Sequence, residues 1–149
     1  MNGTETSSSR YQSEHARLIN RYHSKCLFNV NPPVNKLNFT FRDDGSSYAK
    51  VFFSEIHQGY DGKVHGGLVA AVIDAAMVQC LMGHGVLAYT AELKTRYKYP
   101  VDILTETEFN TVVLSESKGK LFLLETRVLQ LGVLKVAAKS KFIRAEDLD

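Results

Sequence analysis

The chain has little net charge and few cysteines, and it lacks the motifs of several common functional classes. Its 149 residues carry a formal charge of +2, which is too small to indicate nucleic-acid binding. Cys26 and Cys80 are too few for a disulfide framework, and their spacing matches no metal site. The sequence contains no G-x-S-x-G elbow and no phosphate loop ending in Lys-Ser/Thr. We therefore expect no metal, no cofactor and no nucleic-acid partner.

The N-terminus lacks the apolar segment that marks a secretory signal. Residues 1–13 are mostly polar and are predicted to form a disordered tail, followed by a single domain over residues 14–149. The apolar stretch 66–82 is short for a membrane-spanning helix and contains an aspartate, so no membrane span is predicted. Together these features predict a cytoplasmic protein.

The remaining pattern predicts an α+β domain with one long helix and several antiparallel strands. A short helix is expected within residues 13–25, followed by a hairpin in which Leu37, Phe39 and Phe41 face the core. Residues 67–82 are apolar on every side, which predicts a helix that is buried all round. Four longer strands are expected, at residues 86–99, 103–115, 120–130 and 133–144. Such a sheet can curl around the helix, and a second subunit can cover what stays exposed.

Asp74 is the only formally charged residue between Lys63 and Glu92, and it lies in the middle of the predicted helix. A carboxylate in an apolar interior is costly unless partners compensate it, and no Lys or Arg lies within four positions. Two explanations are open. Asp74 either hydrogen-bonds a distant backbone amide or a partner chain, or it belongs to a functional site. The small side chains of Ala70 and Ala71 beside it leave room for a ligand.

Gly66 and Gly67 begin the predicted helix. The first amides of a helix are unpaired and carry the positive end of its dipole, so they attract negative charge, including the oxyanion formed by attack on a carbonyl. Gly67 lies seven residues before Asp74, which is about 10 Å along the helix axis. That is too far for both groups to act on one carbonyl. If both act on one substrate, we expect a homodimer whose sites are shared between chains.

Two segments of the sequence resemble a known family. GYDGKVHGGLVAAVIDAAM (residues 59–77) and YTAELKTRYKYP (residues 89–100) resemble hot-dog-fold acyl-CoA thioesterases with an HGG loop and an Asp nine positions after the His. The resemblance is to the phenylacetyl-CoA-thioesterase-like branch, and it extends over about residues 26–143. It implies the hot-dog fold, in which a long antiparallel β-sheet wraps around one central buried helix. It also implies an acyl-CoA substrate of lipid metabolism and a homodimer or a homotetramer.

The same resemblance implies roles for individual residues. Asp74 matches the general base or nucleophile, Gly66 with Gly67 matches the amides that polarise the thioester carbonyl, and Thr90 matches the residue that positions the attacking water. His65 and Gln58 match positions that contact the substrate.

A basic strand follows the predicted helix. Simple alternation places Thr90, Glu92, Lys94, Arg96 and Lys98 on one face of this strand and Tyr89, Tyr97 and Tyr99 on the other. Lys94 and Arg96 are therefore candidates for binding the phosphates of coenzyme A, and a solvated strand face is the alternative.

Two other functions fit the same fold. A hydratase or dehydratase needs a paired His and acid for α-proton abstraction, whereas the match at Thr90 favours hydrolysis. A non-catalytic acyl-CoA-binding module would be expected to lose the carboxylate, and Asp74 is present. The sequence therefore predicts hydrolysis of an acyl-CoA thioester to free acid and coenzyme A.

Overall fold

One antiparallel six-stranded sheet packs against one long helix in the computed structural model, which describes residues 5–146. The strands follow the order β1-β2-β4-β5-β6-β3 across the sheet. Their bounds are β1 (Thr40–Phe41), β2 (Ser47–Phe52), β3 (Ala88–Tyr97), β4 (Glu106–Ser117), β5 (Leu121–Gln130) and β6 (Val133–Arg144). The helices are α1 (Ser7–Leu18), α2 (Leu27–Val30) and α3 (Gly66–Gly83). The predicted α+β architecture is confirmed.

The hairpin β1–β2 and helix α3 supply much of the core. Leu37, Phe39 and Phe41 are all buried, as their alternation predicts. Phe109 and Phe142 add buried aromatic rings from the sheet. Of the residues described, only Gly66–Gly83 is long and apolar enough to cross a membrane, and 61% of it is buried inside the protein. The same helix therefore has the packing of a core helix.

Helix α3 is open along one face, so the prediction that it is buried all round is wrong for the single chain. Gly67 and Ala71 are exposed, and Asp74 and Val78 are half-buried. These four residues recur at the spacing of one helix face. Met77 is fully buried and points elsewhere. The sheet and α1 cover the rest of the helix, and the open stripe is left for a partner or a ligand.

The predicted disordered tail over residues 1–13 is wrong from Ser7 onward, because α1 begins there. The side chain of Thr6 caps the helix by accepting a hydrogen bond from the Ser9 amide. Gln12 then ties the helix to the sheet, donating to the Phe39 carbonyl and accepting from the Phe41 amide. The contacts of Gln12 join residues that are far apart in the sequence, so the polar composition of this segment does not reveal them. Residues 1–4 and 147–149 lie outside the described part of the chain.

Strand β3 lies at the edge of the sheet and contains a β-bulge at Ala91. Thr90 pairs with Phe142, yet Glu92 pairs with Lys141, the very next residue back along β6. A bulge inserts one extra residue, so side chains before and after it fall on opposite faces from those that alternation predicts. Thr90 therefore shares the inner face with the buried Phe142. The prediction that Thr90 lies on one face with Glu92, Lys94 and Arg96 is wrong.

Candidate functional site

Asp74 and Thr90 meet on the open face of α3. The Thr90 hydroxyl donates a 2.6 Å hydrogen bond to Oδ1 of Asp74. Asp74 is half-buried and Thr90 is exposed, so the carboxylate is not enclosed in the apolar core. This arrangement explains how an otherwise apolar helix can carry a charged side chain. The carboxylate reaches solvent and a hydroxyl donor, and its second oxygen stays available to a ligand or water.

The helix begins at Gly66, and His65 caps it. Nδ1 of His65 accepts a 3.0 Å hydrogen bond from the Gly67 amide, which occupies that donor. Within residues 5–146, the Gly66 amide has no hydrogen-bond partner. Both glycines are exposed. Of the two predicted oxyanion donors, Gly66 is the one whose N–H is free, and His65 holds the turn that presents it.

Tyr97 fixes the start of the helix from the inner face of β3. Its hydroxyl donates a 2.6 Å hydrogen bond to the Gly66 carbonyl, and partial burial raises the pKa of Tyr97. Simple alternation predicts only that this residue lies on the strand face opposite Thr90, with no part in the site. The signal that points to it is Leu93, because an apolar residue among charged neighbours marks the inward-facing set of the strand, and Tyr97 lies four positions later in that set.

The other polar residues of the neighbouring loops have structural partners. Oε1 of Gln58 accepts from the Gly62 amide at 2.9 Å, so this side chain shapes the loop before the helix. Nδ1 of His57 accepts from the Ser54 amide and its Nε2 lies 2.7 Å from the Pro33 carbonyl. His84 lies 2.9 Å from the Gly45 carbonyl. Gln58 is exposed beside the helix start, whereas His57 and His84 act as tethers.

Lys94 and Arg96 project from the outer face of the sheet, away from the inner face that carries Thr90. With Lys139 and Glu125 they border a cavity of about 280 Å³ floored by Ala137. Lys94 is directly opposite Lys139 on β6, an arrangement of like charges that destabilises a sheet, and Glu125 on β5 is the carboxylate opposite Lys139. Among the residues described, Lys94, Arg96 and Lys139 form no salt bridge.

The site has the parts needed to add water to a carbonyl. A carboxylate can accept a proton from water, and the adjacent hydroxyl can hold that water in place. A free amide at a helix start can stabilise the resulting oxyanion. Over residues 5–146, no three His, Cys, Asp or Glu side chains cluster as ligands of a metal ion.

Comparison with known proteins finds an acyl-CoA thioesterase that resembles part of the chain. The chain is 38% identical over 73 residues to acyl-coenzyme A thioesterase THEM4 of Mus musculus, a match that spans 48% of this chain and 31% of the relative. The chain therefore spans about a third of the length of the curated relatives it matches. No family model matches the chain.

Solved structures match over more of the chain. The E. coli PaaI protein of the phenylacetic acid degradation operon superimposes with a TM-score of 0.76 at 14% identity, over 95% of this chain and 97% of that one. A Streptococcus pneumoniae thioesterase protein solved with coenzyme A superimposes with a TM-score of 0.69 at 12% identity, over 74% of this chain and 90% of that one. This chain has the hot-dog fold. The fold class that the sequence predicts is confirmed.

Proposed function

We propose that the protein is an acyl-CoA thioesterase that hydrolyses an acyl-CoA thioester to free acid and coenzyme A. The observation that carries the proposal is the 2.6 Å hydrogen bond between Thr90 and Asp74 on the open face of α3. This pair lies where a substrate can approach it, on a hot-dog fold shared with thioesterases. The partial match to an acyl-CoA thioesterase supports the same reaction.

The proposed reaction begins with a water held between Asp74 and Thr90. Asp74 takes a proton from this water as its oxygen attacks the thioester carbonyl, and a C–O bond forms. The negative charge moves to the carbonyl oxygen, which the Gly66 amide stabilises. The C–S bond then breaks, and the proton on Asp74 passes to the departing thiolate of coenzyme A. Direct attack by Asp74 would instead break the C–S bond, release the thiolate and leave an acyl anhydride on the carboxylate, which water then hydrolyses.

We propose further that the active unit is a homodimer whose sites combine Asp74 of one chain with Gly66 of the other. The two residues are eight positions apart on one helix, about 12 Å along its axis, so one chain cannot bring both to a single carbonyl. The outer edge of β3 has no neighbouring strand in the described structure, and the stripe of α3 beside it is open. An edge and a stripe of this kind suit pairing with a second copy. Assembly into a dimer of dimers would leave this contact unchanged.

The remaining predicted residues receive separate roles. His65 and Gln58 lie at the helix start, where we propose that they border the thioester. Lys94 and Arg96 lie on the outer face, and we propose that they bind the phosphates at the far end of coenzyme A. A cytoplasmic location and a role in lipid metabolism stay predictions.

Release of free thiol from acyl-CoA tests the function. Asp74→Asn should lower kcat at least about 100-fold, because the amide cannot accept a proton from water. Glu106→Gln is the matched control, since it removes an exposed carboxylate that pairs with Lys50 on the far side of the sheet. Full activity in folded Asp74→Asn would refute the mechanism. Binding of acyl-CoA without thiol release in the wild-type protein would indicate a non-catalytic module.

The oligomeric site has its own test. Mixing inactive Asp74→Asn chains with inactive chains that carry Gly66→Pro, which removes the amide proton, should restore activity in mixed dimers, because one of the two sites is then intact. No recovery after subunit exchange, or full activity in a strictly monomeric protein, would contradict the shared site.

A further inference from the structure

A second cavity borders the candidate catalytic pair. It has a volume of about 280 Å³ and reaches Thr90, whose hydroxyl is bonded to Asp74. Its walls are mostly apolar, and the principal lining residues are Tyr22, His23, Val78, Met82, Leu87 and Ala88. Val78, Leu87 and Ala88 are only half-buried although they are apolar. Apolar walls that are left partly open next to a reactive group suit the apolar part of a substrate.

One ridge of helix α3 connects the carboxylate to this cavity. Asp74, Val78 and Met82 follow each other at four-residue intervals, about 6 Å apart along the helix axis. The ridge therefore leads away from Asp74 toward the C-terminal end of the helix, opposite to the direction of Gly66. An acyl chain whose carbonyl carbon lies at Asp74 can extend along Val78 to Met82.

The N-terminal segment closes the cavity on the other side. Tyr22 and His23 belong to a π-helical turn, Ile19–His23, that continues directly from α1. Such turns are rare, and they are frequent at functional sites. Burial lowers the pKa of His23, and repulsion from His15 adds to this, so the ring stays neutral beside apolar neighbours.

We propose that this cavity receives the acyl group of the substrate and that Tyr22 and His23 set the longest acyl chain it accepts. The inference rests on the proposed thioesterase function and adds a substrate class to it. A cavity of about 280 Å³ holds roughly nine groups of the size of a water molecule or a methylene. This volume matches medium-length chains of roughly eight to ten carbons or a phenylacetyl group, whereas a palmitoyl chain would extend past Tyr22 and His23.

Acyl-length profiles of variants test the assignment. The ratio of kcat/KM for octanoyl-CoA to that for butyryl-CoA should fall at least about tenfold in Val78→Phe, because the larger ring fills the cavity. The double variant Tyr22→Ala and His23→Ala should raise kcat/KM for palmitoyl-CoA relative to that for octanoyl-CoA by about tenfold. Val133→Phe, on an exposed strand end, is the control and should leave every ratio unchanged. Unchanged profiles in both cavity variants would overturn the proposal. Comparison of phenylacetyl-CoA with octanoyl-CoA separates aromatic from aliphatic preference.

A binding measurement separates this proposal from the thioesterase function. Octanoate should shift the methyl resonance of ¹³C-labelled Met82, which lines the cavity, and leave that of the fully buried Met77 unchanged. Val78→Phe should abolish the shift. A Met82 shift without thiol release from any acyl-CoA would support the acyl cavity and refute the thioesterase function. Thiol release without a Met82 shift would refute the cavity. Loss of dimerisation in Val78→Phe, with no octanoate binding in the wild type, would show instead that a second copy fills it.

Discussion

The hydroxyl of Thr90 and the carboxylate of Asp74 lie 2.6 Å apart, although the two residues are sixteen positions apart in the sequence. The contact depends on the bulge at Ala91, which turns Thr90 to the inner face while Glu92 and Lys94 stay outside. A regular strand would have kept Thr90 on the outer face with those charged residues. The bulge is therefore a feature of the site, in keeping with the frequent occurrence of bulges next to active sites.

Removal of the Thr90 hydroxyl should reduce turnover. We expect Thr90→Val to lower kcat about 100-fold or more with little change in KM, because the water loses its second support and Asp74 loses its donor. Thr90→Ser keeps the hydroxyl and should stay within about tenfold of wild type. Steady-state thiol release measures both variants. Equal losses of kcat in Thr90→Val and Thr90→Ser would contradict a role for the hydroxyl, because Ser keeps that group.

The sequence alone showed part of this site. Asp74 and Gly66 stood out from the residues themselves, as a lone charge in an apolar helix and a glycine at its start. Thr90 was identified as a site residue only through a family resemblance, because simple alternation predicts that it lies on the outer face of the strand. A bulge adds one residue without a composition that marks it, so no periodic pattern gives its position.

The sequence also does not predict which neighbours pack against helix α3. An apolar stretch with no polar face predicts burial, but it does not say which neighbour supplies the cover. In the single chain the sheet covers most of α3 and leaves the stripe with Ala71 and Asp74 open. The first helix also differs from its prediction, for a related reason: it was expected within residues 13–25, whereas α1 begins at Ser7. Its stability comes from the Thr6 cap and the contacts of Gln12 with the hairpin, which hydrophobic periodicity does not report.

Gly83 closes helix α3 where no side chain fits, which gives a stability prediction. A Cβ atom on Gly83 would lie 2.2 Å from Cε1 of Phe41, a buried ring. We expect Gly83→Ala to lower the free energy of unfolding by about 1–3 kcal/mol through overpacking, although alanine at a helical glycine usually stabilises. Urea unfolding measures the change.

Gly66→Ala is the matched control for stability. Its Cβ would meet the Tyr97 ring at 3.6 Å, an ordinary contact, so no comparable loss is expected. A stabilised Gly83→Ala protein would contradict the close approach of Phe41. In the double variant Gly83→Ala with Phe41→Leu, part of the loss should return, since the smaller side chain relieves the clash.

The two cysteines should differ in reactivity. Burial raises the pKa of Cys80 to about 11, and its Sγ lies 3.8 Å from the Gly45 carbonyl within the core. Because the thiolate is the reactive form, native protein near pH 8 should take up an alkylating label at the half-buried Cys26 and leave Cys80 unmodified. Intact mass and peptide mapping identify the labelled site. In concentrated guanidinium chloride both should react, and rapid native labelling of Cys80 would show that the core opens there.

The stability of the fold should fall in mild acid because of two histidines of the N-terminal segment. Burial lowers the pKa of His15 from its ordinary 6.5, against an opposing hydrogen bond to Gln79, and burial also lowers the pKa of His23. Both rings are therefore neutral in the folded protein, and the unfolded chain takes up protons first as the pH falls. Their contribution is complete above about pH 6.5 and is lost below it.

Unfolding in urea between pH 7.5 and pH 5 measures this effect. We expect the free energy of unfolding to decrease with falling pH in the wild type and to change less in the double variant His15→Gln and His23→Gln. Asp44→Asn is the control, since hydrogen bonds from Ser46 lower the pKa of the Asp44 carboxyl and its contribution is lost only below about pH 4. An unchanged slope in the double variant would place the acid sensitivity elsewhere in the chain.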